Sequence, residues 1–190
     1  MKKLNAKEII KPIVVLFVIC VIVTALLAAV NAVTKDPIEK QSVQKAEQAR
    51  AVVLPQADSF EAVEIEAGGV TDCYKGIKDG KTVGYTFTAS SSGYGGQVEI
   101  MVGIDSENDK ISGVSILSQE ETPGLGANAV KSEFTDQFKQ TAQEITVIKN
   151  AEPGDGEIEA LTGATITSNA VTTSVNNIVA AYNEKLKGVE

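Results

Sequence analysis

Between Glu159 and Ser168 the chain reads Glu-Ala-Leu-Thr-Gly-Ala-Thr-Ile-Thr-Ser. The hydroxyls of Thr162, Thr165, Thr167 and Ser168 cluster around Gly163 and Ala164. An apolar stripe follows, with Val171, Val175, Ile178, Tyr182 and Leu186 recurring at intervals of three and four, which predicts a helix from about Ser168 to Leu186. The first turn of a helix offers unpaired backbone N–H groups and a partial positive charge, which suits a phosphate. Hydroxyls at that position also serve as ordinary helix caps, and residue type alone leaves both readings open. A threonine hydroxyl is a weak nucleophile without a base. The chain contains no histidine, so bond formation at this turn requires an outside catalyst.

Composition narrows the chemistry further. Without histidine there is no His-based metal site, Ser-His-Asp triad or His general base. The two cysteines, Cys20 and Cys73, cannot supply an iron–sulfur or zinc spacing, and only Cys20 lies in the apolar run near the start of the chain. Cys73 reads as a small buried residue rather than a redox thiol. Lys2, Lys3, Lys7 and Lys11 against Glu8 make residues 1–11 a tip of charge +3; since the chain carries −8, the remainder carries −11. An acidic body of this kind argues against nucleic acid as a partner.

Pro12 to Val33 is a run of 22 residues without a charge. At ~1.5 Å per residue it spans about 33 Å, enough for a bilayer core of about 30 Å. A cleaved signal peptide is the rival reading, with a small-residue site at Val30-Asn31-Ala32, but its apolar segment is ordinarily only about 7–15 residues. The expectation is therefore an uncleaved anchor at residues 12–33 in contact with membrane lipid. The lysines place residues 1–11 in the cytoplasm and residues 34–190 outside it.

The elements that must position the turn follow in order. Asp36-Pro37-Ile38-Glu39 reads as a fresh helix start, giving a membrane-proximal helix within residues 34–55 that Pro55 ends. Residues 56–190 form the domain. Phe60 to Ile65 is extended. A hairpin follows, from Asp72 to Lys78 and Lys81 to Ala89, turning at Asp79-Gly80. Ser90 to Gly96 reads as a loop, then Gln97 to Asp105 and Lys110 to Leu117 as a second hairpin. In that hairpin Gly103 and Gly113 mark a bulge or a close backbone approach. Ser118 to Gly126 is a loop with a Pro123-Gly124 turn, either a connector or a place where the backbone comes close to a ligand. Val130 to Phe138 is a short helix, Ile145 to Ile148 a strand, and Asn150 to Gly156 a polar turn. The fold class is α+β: one N-terminal transmembrane helix, then a domain of antiparallel hairpins with packed helices.

Thr162-Gly163-Ala164-Thr165, preceded by Glu159, resembles the flavinylation motif of the FMN-binding domain family, Asp-x-x-Ser/Thr-Gly-Ala-Thr. Glu159 stands where aspartate is usual. Leu54-Pro55, Gly93-Tyr94-Gly95-Gly96 and Glu121-Thr122-Pro123-Gly124-Leu125-Gly126 resemble family segments in the family order. The resemblance implies FMN joined to Thr165 as a phosphodiester, placed there by a Mg²⁺-dependent FAD:protein FMN transferase. Thr162, Gly163, Ala164, Thr167 and Ser168 would surround the phosphate. It further implies that Glu121, Thr122, Leu125 and Gly126 line the isoalloxazine ring, with Lys149 nearby.

With the single anchor and the length of 190 residues, the chain resembles the G subunit of the Rnf complex more than its usually longer counterpart in the NADH:quinone pump. It implies an electron-relay subunit of a ferredoxin:NAD⁺ oxidoreductase that translocates sodium or protons, working beside integral and peripheral subunits. Two alternatives stay open: the C subunit of the sodium-pumping NADH:quinone oxidoreductase, and an anchored binding or assembly module without flavin.

Overall fold

The computed structural model describes residues 6–139 and 142–188, so residues 1–5 of the expected basic tip lie outside the described residues. The chain forms two compact units, one reaching Gln44 and the other beginning at Lys45. The second unit thus includes residues 45–55, the end of the expected membrane-proximal helix.

Helix α1 spans Ala6–Val53 with Pro12 and Pro37 inside it, so Asp36 is not a new helix start. An internal proline removes one hydrogen bond. Just before Pro37, the Thr34 hydroxyl donates to the Val30 carbonyl at 2.9 Å. From Ile13 to Leu27 the apolar side chains of α1 are exposed, Leu16, Phe17 and Leu27 prominently so. By length and composition this helix can cross a membrane.

The second unit is built on one antiparallel meander whose spatial order is its chain order. Its strands are β1 (Ser59–Ala62), β2 (Val70–Lys78), β3 (Lys81–Ser92), β4 (Gln97–Asp105) and β5 (Lys110–Ser118). The β2–β3 turn has Asp79 and Gly80 both at positive φ, 50° and 75°. That matches the tight turn read from Asp-Gly. Strand β3 runs through Ser90–Ser92, which pair with Glu99, Val98 and Gln97, so the expected loop is shorter. The serines stay in the ladder because β4 offers partners out to its first residue.

Helix α3 (Thr165–Lys185) covers one face of the sheet. Val171, Val175, Ile178 and Tyr182 join Tyr85, Phe87, Ile100, Val102 and Ile104 in the core. The other face receives the end of α1, where Ala49 and Val53 pack with Met101. Gly103 and Gly113 are the close approach anticipated from the sequence: a Cβ on Gly103 would overlap the Val53 carbonyl. Ser112 donates its hydroxyl to that same carbonyl. Leu54 fills the space left by Gly76 and Gly84.

Between β5 and α3 the chain is less regular than expected. Val130 to Phe138 is not one helix. It is a 3₁₀ turn (Gly126–Val130), a single α-turn α2 (Ser132–Thr135) and a second 3₁₀ turn (Asp136–Phe138). Extended geometry at Lys131 breaks it, with ψ 146°. Val130 is consequently 55% exposed while Phe134 and Phe138 remain buried. Strand β6 (Thr146–Ile148) pairs in parallel with β7 (Glu157–Glu159), three residues that lie outside every element expected from the sequence. The Asn176 amide of α3 locks this region by accepting the Ile145 N–H at 2.9 Å and donating to its carbonyl at 2.8 Å.

Candidate functional site

Three segments converge on a cleft of about 590 Å³. They are the β3–β4 turn at Tyr94, the loop after β5 from Glu121 to Gly126, and the chain from Gly163 to Thr167. The last segment turns because Gly163 sits at φ 74°, a conformation that disfavours L side chains. Ala164 then takes the N-cap position without a side-chain cap, and α3 begins at Thr165, three residues before the expected Ser168. The amides of Thr165, Ile166 and Thr167 therefore occupy the first helical turn, where no i−4 carbonyl is available to them.

The four hydroxyls of the motif have different positions and partners. Ser168 is fully buried; its Oγ accepts the Leu161 N–H at 2.9 Å and donates to the Ala164 carbonyl at 3.0 Å. It is a clamp on the turn and does not line the cleft. Thr162 is exposed and borders a separate hollow with Lys131 and Glu159. Thr167 lines the cleft, but its hydroxyl donates to Glu121 Oε2 at 2.8 Å. Thr165 lines the cleft half-buried, and among the described residues its hydroxyl has no hydrogen-bond partner.

Glu121 ties the three segments together. Its Oε1 accepts the N–H of Tyr94 at 2.8 Å and of Gly95 at 3.1 Å, while Oε2 takes Thr167. Gly126 is close enough that a Cβ there would crowd both Glu121 and Thr167. Glu121, Thr122, Leu125 and Gly126 all line the cleft, as do Gly163 and Ala164. Lys149 does not: it is exposed just past β6. Glu159 ends β7, with its N–H held by the Gln137 side chain at 2.7 Å.

The mouth of the cleft is apolar and open. Tyr94 is 74% exposed, Ile166 53% and Leu125 44%. Exposed apolar side chains gathered on a concave surface mark a ligand or partner site. Tyr94 and Ile166 are not among the site residues expected from the sequence. The only available signal is an isolated apolar residue within each polar loop. A planar aromatic ligand with a phosphate fits this set: apolar walls at the mouth, helix-start amides and a spare hydroxyl at the base. Cys73 is buried in the core away from the cleft, and burial pushes its thiol up to about 12, as an inert apolar residue.

Comparison with known proteins agrees with this geometry. The FMN-binding domain family matches residues 93–180, and the RnfG N-terminal region matches residues 1–53. The chain is 39% identical to the G subunit of the Na⁺-translocating ferredoxin:NAD⁺ oxidoreductase complex of Acetobacterium woodii, over 95% of this chain and 94% of that one. It is 39% identical to the proton-translocating counterpart of Clostridium ljungdahlii, over 86% of each. Identity to the G subunit of the ion-translocating oxidoreductase complex of Methanosarcina acetivorans is 34%, over 92% and 95%.

Among solved structures, the C subunit of the Na⁺-translocating NADH-quinone reductase of Parabacteroides distasonis superposes with TM-score 0.54 at 26% identity. The match covers 63% of this chain and 64% of that one. Shewanella oneidensis NqrC shares the fold, with TM-score 0.51 at 20% identity over 59% and 57%. An anchor-length helix, a meander backed by α3 and a cleft closing on Thr165 thus coincide with these matches, and the chain belongs to the family of G subunits of ion-translocating oxidoreductase complexes, with an FMN-binding domain.

Proposed function

We propose that this chain is an electron-relay subunit that carries FMN as a phosphodiester on Thr165, within a membrane-bound ferredoxin:NAD⁺ oxidoreductase that translocates sodium or protons. One observation carries the reading. Of the motif hydroxyls, Thr165 alone both lines the cleft and is unengaged among the described residues. Attachment forms a bond from Thr165 Oγ1 to the phosphorus of the FMN half of FAD and breaks the pyrophosphate, with AMP leaving. An FAD:protein FMN transferase supplies the base and the metal ion for this step.

Bound FMN supplies reversible one- and two-electron transfer. The chain's own groups do the rest. First-turn amides of α3 and the helix dipole hold the phosphate. Gly163 keeps the approach to the backbone clear: chain neighbours aside, Leu125 alone among the described residues lies near the place of its missing Cβ. Tyr94, Leu125 and Ile166 offer apolar surface to a ring and leave one side open to a redox partner in the same complex. The basic tip and the anchor in α1 support an inner-membrane position with the domain outside the cytoplasm. There a tether prevents loss of the cofactor. The match of residues 1–53 to the RnfG N-terminal region favours this complex over the NADH:quinone pump.

The test is intact mass of the full chain co-expressed with the transferase. FMN less one water adds about 438 Da, expected on tryptic peptide 150–185 and lost in Thr165→Ala. A bare mass in the wild type supports the flavin-free anchored module instead. A Thr165→Ala protein that keeps the added mass refutes the assignment to Thr165.

A further inference from the structure

Glu121 is 7% exposed and lines the cleft, yet among the described residues every hydrogen-bond donor to its carboxylate is a neutral group. Among the described residues no lysine or arginine forms an ion pair with it. The backbone is shaped to receive it: a Cβ added to Gly93 or Gly126 would overlap one of its carboxylate oxygens. Joining the β3–β4 turn, the loop after β5 and α3 does not by itself require a charge. A neutral amide of the same shape could bridge the same segments, and a buried charge without a counter-ion is costly. The charge therefore calls for a reason beyond the bridging.

We propose that Glu121 lowers the reduction potential of a flavin held in this cleft, by presenting from the cleft wall a negative charge that no lysine or arginine among the described residues pairs with. The inference rests on the reading that FMN occupies the cleft. Adding an electron to a flavin ahead of its proton places negative charge on the ring. A fixed carboxylate in a partly dry wall opposes that step and favours the oxidised form. The lever is the charge, and the hydrogen bonds from Tyr94, Gly95 and Thr167 keep it in place.

The experiment is a spectroelectrochemical titration of the full-length flavinylated protein in detergent, comparing wild type with Glu121→Gln, which keeps the shape and removes the charge. A unit charge within about 10 Å at an effective dielectric of about 20 changes the reduced-to-oxidised ratio roughly tenfold at fixed ambient potential. The expected result is a more positive midpoint for Glu121→Gln by that ratio. A flavinylated Glu121→Gln whose midpoint is unchanged or more negative overturns the proposal.

Thr167→Val keeps the carboxylate and removes one of its donors. It is expected to give no positive shift, and a shift matching that of Glu121→Gln would show that loosening, not charge, is responsible. If Glu121→Gln does not fold, Thr122→Lys places a cation on the exposed neighbour in the same wall. It should shift the midpoint positively, and no shift overturns the proposal. A wild-type protein without the FMN mass fails at the earlier step and removes the reading on which this one stands.

Discussion

Replacing Ser168 with alanine tests how the turn before α3 is held. The Ser168 hydroxyl makes two bonds, but their loss is unequal. The Ala164 carbonyl keeps the backbone N–H of Ser168 at 3.0 Å, so it remains satisfied. The half-buried Leu161 N–H has no other partner among the described residues and is left orphaned. Orphaning a buried donor costs about 1–3 kcal/mol, so about 2 kcal/mol is expected here. For a folded unit of this size that corresponds to roughly 4–8 °C in Tm. It is a minor fraction of a typical stability of about 5–15 kcal/mol, so the domain stays folded. The turn presenting Thr165 is loosened all the same, and the proposed flavin attachment should slow. The assay pairs circular-dichroism melting of the full chain in micelles with a mass-spectrometric time course of modification. Thr172→Val is the comparator, because its hydroxyl only adds to the helical Ser168 carbonyl at 2.9 Å and its loss should be nearly silent. Ser168→Ala melting and modifying like wild type would refute the claim that this clamp shapes the site.

Gly103→Ala forces a methyl group against the Val53 carbonyl, which is backbone and cannot swing aside. A loss of about 1–3 kcal/mol is expected in urea titration. Asp109 accepts the Tyr182 hydroxyl at 2.6 Å and pairs with Lys187 at 3.0 Å; the tyrosine bond first, then the lysine, hold its carboxyl below the usual range. A depressed folded pKa gives stability that is whole above the unfolded value of about 4 and is lost as pH falls through the folded one. Asp109→Asn should therefore melt below wild type at pH 7, with the gap narrowing towards pH 3. Cys73 should resist iodoacetamide at pH 8 in the folded chain and react after unfolding, as read by peptide mass.

Much of the sheet was legible because its signals are local. Asp79-Gly80 marks its turn, and Val98, Ile100, Val102 and Ile104 mark an inward face by simple alternation. The early start of α3 was not, because a helix opening on Thr-Ile-Thr without a side-chain cap lacks the usual start signal, and only the backbone at Gly163 reveals it. Pro37 misled for the opposite reason: Asp-Pro-x-Glu is a good start signal that a long continuous helix overrides. At the site, sequence order brought Thr165, Glu121 and Leu125 into view. It could not show that Glu121 faces Thr167, a pairing that only the fold creates across 46 residues. Nor could it separate the hydroxyls, since Ser168 and Thr165 differ in accessibility and not in chemistry.

The plain chain order of the meander bears on when the cleft can exist during synthesis. Strands β1 to β5 contact only their sequence neighbours within the sheet, so the sheet can assemble progressively as the chain leaves the ribosome. The wall formed by α3 is made last, and its bond to Glu121 joins residues 46 apart in the chain. A nascent chain that stops short of α3 therefore presents the sheet but not the completed cleft, so the proposed attachment of FMN would have to follow the folding of α3.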